Sequence, residues 1–172
     1  MRLVTSLIAA VALSACSQMP DPPESAPAPT VDMSDLGMLE GTWAGALTYR
    51  DYSALGEDVT IPASLLVDRM GEGLRLKLTY PSEPSAYDTS MLTPSSDGRI
   101  LNSETVVSRQ QEGERITLVT QSGCEDDGRE AACEMTYILS PDVFEMTKMV
   151  TIEGEPAFRR NAYAFERAGM SD

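Results

Sequence analysis

The side chains that most often carry chemistry are sparse in this chain, and one type is missing. There is no histidine. That removes serine–histidine and cysteine–histidine nucleophile systems, His-ligated zinc, His-ligated haem and the usual proton shuttle near neutral pH. No C-x-x-C pair, nucleophile elbow or glycine-rich phosphate loop occurs. Carboxylates are abundant, 27 Asp and Glu against 13 Lys and Arg. Paired acids therefore carry little information by themselves. No catalytic residue, metal ligand or cofactor is assigned, and a non-enzymatic role is expected. The net charge of −14 opposes nucleic-acid binding, because phosphate contacts need basic surface. It equally opposes charge-driven adsorption to anionic membranes.

Three features remain. Cys124 and Cys133 flank a polar, glycine-containing loop, EDDGREAA. In an exported chain the natural reading is a disulfide closing that loop. Glu125, Asp126 and Asp127 could attract calcium, but the full EF-hand series is absent, and a solvated acidic loop is expected. Lys148 lies in phase with Phe144, Met146, Val150 and Ile152. A buried lysine is costly unless paired. It would meet a ligand carboxylate or an internal acid such as Glu104, unless a bulge or a snorkelling stem returns it to water. The stretch LEGTWAGALTYRDY, residues 39–52, alternates Trp43, Gly45, Leu47 and Tyr49 with Thr42, Ala44, Ala46 and Thr48. Tyr49 and Tyr80 sit on apolar faces, and each hydroxyl needs a partner if buried.

The elements that must position these residues are strands. From Gly41 onward no long stretch has helical period, and alternating runs are bounded by turn residues. Strands are expected near 42–52, 58–69, 73–81, 85–92, 99–110, 114–122, 132–140, 143–152 and 157–167. Turns fall at Gly71-Glu72-Gly73, Asp97-Gly98, Glu112-Gly113-Glu114 and Gly154-Glu155-Pro156, among others. A short helical turn from Asp35 to about Leu39, capped by Asp32 or Ser34, leads into the first strand. Eight or nine antiparallel strands imply an all-β domain, a closed barrel with a β-sandwich as the alternative. A barrel removes exposed edges and at this strand number can hold one small ligand. Arg75, Lys77 and Glu145 oppose the apolar faces, which argues against a membrane-spanning barrel.

The N-terminus reads as an address. Arg2 precedes an apolar core from Leu3 to Leu13, followed by Ser14 and Ala15, the pattern of a secretory signal. Leu13-Ser14-Ala15-Cys16 resembles the lipobox of bacterial lipoproteins. That resemblance implies cleavage after residue 15 and acylation of Cys16. Ser17, where Asp favours inner-membrane retention in that family, matches the outer-membrane pattern. Residues 16–33 then form a lipidated, Pro-rich linker. Its 14 residues from 17 to 30 span up to roughly 43 Å in polyproline II geometry at about 3.1 Å per residue. The folded domain is assigned to 34–168 and a tail to 169–172.

Gly41-x-Trp43 at the head of the first strand resembles the first motif of lipocalins and the wider calycin group. The resemblance implies an up-and-down barrel in which the Trp closes one end against an arginine from a late strand. Arg159, Arg160 and Arg167 are the candidates. It also implies a small apolar ligand, with Trp43, Tyr49, Tyr80, Lys148 and Arg159 as candidate contacts. The expected function is thus an outer-membrane-anchored periplasmic lipoprotein that binds or carries a small hydrophobic molecule. The alternative is a non-enzymatic interaction module of an envelope complex, without a cavity and with a protein partner.

Overall fold

In a computed structural model, residues 27–54 and 56–169 are described. The signal segment, Cys16 and residues 16–26 of the linker lie outside them. Ten strands follow the helical turn: β1 (Gly41–Asp51), β2 (Glu57–Met70), β3 (Gly73–Thr79), β4 (Tyr87–Leu92), β5 (Ile100–Leu101), β6 (Glu104–Glu112), β7 (Arg115–Asp126), β8 (Arg129–Leu139), β9 (Val143–Ile152) and β10 (Phe158–Arg167). They form one antiparallel sheet in the order β4-β3-β2-β1-β10-β9-β8-β7-β6-β5. The first strand pairs with the last, Trp43 opposite Arg167. A bridge between Pro94 and Leu101 brings the outer strands together. The result is a nearly closed up-and-down barrel, as the sequence pattern predicts, with ten strands rather than eight or nine. The additional strand arises within 99–110. Asn102 adopts φ 58°, a left-handed turn that Asn tolerates, and it divides the run into β5 and β6.

Above β5 the closure fails. Among the described residues, β4 pairs only with β3, and β7 beyond Gln121 pairs only with β8. This leaves a side opening. Asp88 and Ser90, in register with buried Leu78 and Leu76, are exposed on β4.

One barrel end is plugged. Helix α1 (Met33–Leu36) is capped by Asp32, whose carboxylate accepts from the amides of Ser34 and Asp35. This satisfies donors that a helix start otherwise leaves orphaned. The helical turn begins two residues earlier than the sequence indicates, because Asp32 takes the cap. Val31, Leu36 and Leu39 are fully buried. Arg109 anchors the plug through a two-pronged pair with Asp35, at 2.9 and 2.6 Å. Trp43 lies beneath, donating its indole N–H to the Leu39 carbonyl at 2.8 Å. The Arg167 guanidinium covers its ring at 4.3 Å. Gly45 is required where β1 crosses β10. A Cβ there would stand 1.9 Å from the Ala164 carbonyl oxygen.

Cross-strand register stacks the inward side chains in rows. Ile116, Leu139, Phe144 and Phe165 form one row, none more than 2% exposed. Phe144 meets Trp43 edge-on at 6.1 Å. This row and its neighbours make the main core. At the other end Cys133, Val150 and Ile152 form a second, smaller core. The Cys124–Cys133 disulfide lies beside it.

Candidate binding site

Between the two dry clusters runs a wetter belt. Register aligns Thr120, Met135, Lys148, Asn161 and Tyr49 on neighbouring strands, one row beyond Leu118, Tyr137, Met146, Tyr163 and Leu47. These are inward positions, since strand alternation keeps them in phase with the core. Yet Tyr49, Met135, Lys148, Asn161 and Tyr163 are each partly exposed. Ile61 and Tyr80, also facing the core, are partly exposed too. Inward side chains that reach water show that this part of the interior is not sealed, and we refer to it as the cup: Leu47, Tyr137 and Met146 are buried at its base, and Tyr49, Ile61, Tyr80, Tyr163 and Met135 are its partly exposed apolar residues.

The polar groups in the cup divide into partnered and unpartnered. The Tyr80 and Tyr163 hydroxyls hydrogen-bond at 3.0 Å. Burial, then the bond to Tyr80, pushes the Tyr163 hydroxyl pKa well above its ordinary value. Tyr137 is shifted in the same direction by burial and by the nearby Glu104 carboxylate. Glu104 accepts from the hydroxyl of fully buried Thr120 and, at 3.5 Å, from Tyr137. Both bonds go to the same oxygen, Oε2. Lys148 does not join Glu104. Strand β9 keeps its alternation, with Met146 and Val150 buried on either side, so Lys148 stays on the inner face. The bulge lies instead on β10, between Arg159 and Asn161. Among the described residues every ion pair is made by an arginine, and Lys148 has none.

A strap spans the cup's upper end. The Tyr52 hydroxyl, on the β1–β2 connection, donates to buried Asp126 at the β7–β8 hairpin. Arg160, the bulged residue, pairs with the same carboxylate at 3.0 Å and donates to the Arg50 carbonyl at 2.7 Å. Its guanidinium lies 4.8 Å from the Tyr52 ring centre. Burial and the Asp126 bond raise the Tyr52 pKa.

The sequence-predicted residues therefore separate. Tyr49, Tyr80 and Lys148 all face the barrel interior, Tyr49 and Lys148 in one row on either side of Asn161 and Tyr80 bonded to Tyr163. Trp43 sits at the plugged end with Arg167 as its cationic partner. Arg159 is an exposed rim residue paired with Asp58. Cys124 and Cys133 are bonded. Asp126 is held by the strap, and among the described residues no group of carboxylates and thiols is arranged to hold a metal. The alternation in FRRNAYAFERA puts Asn161, Tyr163 and Phe165 on one face, but residue type alone does not distinguish Asn161 and Tyr163 as site residues beside its three arginines. The Tyr52–Asp126 strap left no sequence signal, because its members are 74 positions apart.

Concavities lie on the outer wall. A groove of about 560 Å³ crosses β6 to β9, bordered by Thr105, Val107, Gly123 and Ala132. A second, of about 370 Å³, lies beside Leu66 and Lys77.

Comparison with known proteins supports the fold alone. No family model and no curated protein matches the chain. The crystal structure of Rv2717c from M. tuberculosis superposes with a TM-score of 0.56 at 15% identity, covering 78% of this chain and 96% of that one. A variant of the fluorescent protein UnaG aligns with a TM-score of 0.38 at 16% identity, over 79% of this chain and 99% of that one. A protein of unknown function from the DUF3598 family of Nostoc punctiforme aligns at 0.35 and 12%, over 81% of this chain and 50% of that one.

Proposed function

We propose that the barrel binds one small, largely apolar molecule in its cup, as a carrier or binding protein. The observation that carries this reading is the partly exposed inner wall of Tyr49, Ile61, Tyr80, Met135 and Tyr163. An interior built only for packing would be dry, since cores pack to the density of organic crystals. Here the row at Phe144 is dry and the row at Lys148 is not. A mostly apolar concavity with a few fixed polar groups is the usual form of a small-molecule site.

The lipobox resemblance places the protein in the bacterial envelope in this proposal. Cys16 carries acyl chains in the outer membrane, and the Pro-rich linker holds the barrel on the periplasmic side. Several acyl chains anchor stably where one binds only marginally. Metabolic labelling with an alkyne fatty acid tests this: label on the natural protein and none on Cys16→Ser is expected, and unlabelled natural protein refutes it.

A lumen-filling variant tests the binding reading. The purified domain should take up a neutral lipophilic dye such as Nile red with increased emission. Met135→Trp, which fills the belt, should abolish uptake while circular dichroism stays unchanged. Dye binding that survives the filling would place the site elsewhere and overturn the reading.

A further inference from the structure

We infer that the belt is a head-group site for an anionic amphiphile, with Lys148 holding a carboxylate and Glu104 accepting a hydrogen bond from a hydroxyl beside it. The inference rests on the proposed binding function and specifies its ligand.

Lysine is used only twice in this chain, at Lys77 and Lys148. Lys77 lies exposed on the outer face of β3. Lys148 is placed inside, between buried Met146 and Val150, with no carboxylate in ion-pair range among the described residues. In a chain with 27 acidic residues, Lys148 is an inward-facing, partly exposed lysine that pairs with none of them among the described residues, which leaves its ammonium open to an anion.

Glu104 supplies the second point. Its Oε2 takes both hydroxyl bonds, from Thr120 and Tyr137, and Oε1 has no donor among the described residues. Thr120 and Lys148 are separated by one strand, with Met135 between them in register. Their backbones are therefore about 10 Å apart, two strand spacings. A single head group can reach both side chains, whereas the side chains do not reach each other. The geometry asks for a negative group at Lys148 and a hydrogen-bond donor toward Glu104. The apolar wall of Tyr49, Ile61, Tyr163 and Met135 would take the chain. At the rim Asp58 is paired with Arg159, Asp126 with Arg160 and Glu155 with Arg129, whereas Asp88, opposite Leu78 on the open edge, is in none of the ion pairs of the described residues.

The test titrates the full chain with hexadecanoic acid, its methyl ester and its β-hydroxy acid by isothermal calorimetry. The acid is expected to bind at least about tenfold more tightly than the ester, the usual worth of a charged hydrogen bond in a partly dry site. Lys148→Met should erase that preference. The β-hydroxy acid should bind several-fold more tightly than the plain acid, and Glu104→Gln should reduce this gain. A measurement on the natural protein guards against misfolded variants. With only two lysines, amine acylation mapped by peptide mass should show Lys148 protected by bound acid and Lys77 unaffected. Equal affinity for acid and ester, with no protection of Lys148, overturns the head-group site but leaves the binding barrel standing. No binding of any of the three overturns both.

Discussion

Replacing Arg167 with Lys keeps the charge at the plugged end but removes the guanidinium fork, and its cost follows from the contacts. Arg167 donates to three backbone carbonyls: Met38 at 2.6 Å, Glu40 at 3.0 Å, and Pro141. It also covers Trp43 at 4.3 Å. These contacts join the helical plug, the β8–β9 turn and the last strand. At a partly exposed site each carbonyl bond contributes about 1 kcal/mol net. The cation–π contact adds about 0.5–1 kcal/mol. A lysine ammonium retains at most one of the carbonyl bonds and part of the ring contact, so the loss is about 2 kcal/mol. For a domain of this size that lowers Tm by about 5–8 °C. The assay is thermal unfolding followed by fluorescence of Trp43, the single tryptophan, which reports from the clamped site itself. Arg167→Met should cost somewhat more. A change in Tm under about 2 °C for both variants would refute the view that this arginine clamps the barrel end.

Further outcomes follow from the same contacts. Gly45→Ala should destabilise by more than about 2 kcal/mol in urea unfolding, since the new methyl meets backbone rather than a movable side chain. Reducing the disulfide, or changing both cysteines to serine, should cost up to about 2–3 kcal/mol by the chain-entropy estimate for a loop of this length. Hydrogen exchange should then rise at the β7–β8 end and not at Trp43. The raised pKa values of Tyr137 and Tyr163 stabilise the neutral phenols of the folded state. Their contribution is therefore complete below the unfolded value near 10 and is lost as pH rises above it. Ultraviolet titration should show these two tyrosines resisting ionisation above pH 10, with stability falling over the same range.

The barrel was legible because each strand announces itself by alternation. Leu74, Leu76 and Leu78 against Arg75 and Lys77 permit only one face inward. The disulfide was legible from two cysteines and a polar loop. The pairing of Trp43 with a late arginine was legible as a class, but its identity was not. Arg159, Arg160 and Arg167 are equivalent by type, and only the register, with Trp43 opposite Arg167, separates them. The cup was half legible. Lys148, Tyr49 and Tyr80 show in the pattern. Their separation from Glu104 depends on where the strands pair, which alternation does not specify. The strap was illegible, because Tyr52 and Asp126 lie in turns whose approach depends on how the sheet coils. The side opening escaped for a related reason: β4 reads as an ordinary strand, and only pairing shows that one of its edges is bare.

Whether the cup holds a small molecule is decided by native mass spectrometry on the protein released gently from its own cell envelope. An added mass that disappears on denaturation, with fragments of an acidic amphiphile, is expected. A clean ligand-free mass, from material that also fails to take up a lipophilic dye, would contradict that expectation and would leave a barrel whose wet belt serves no ligand.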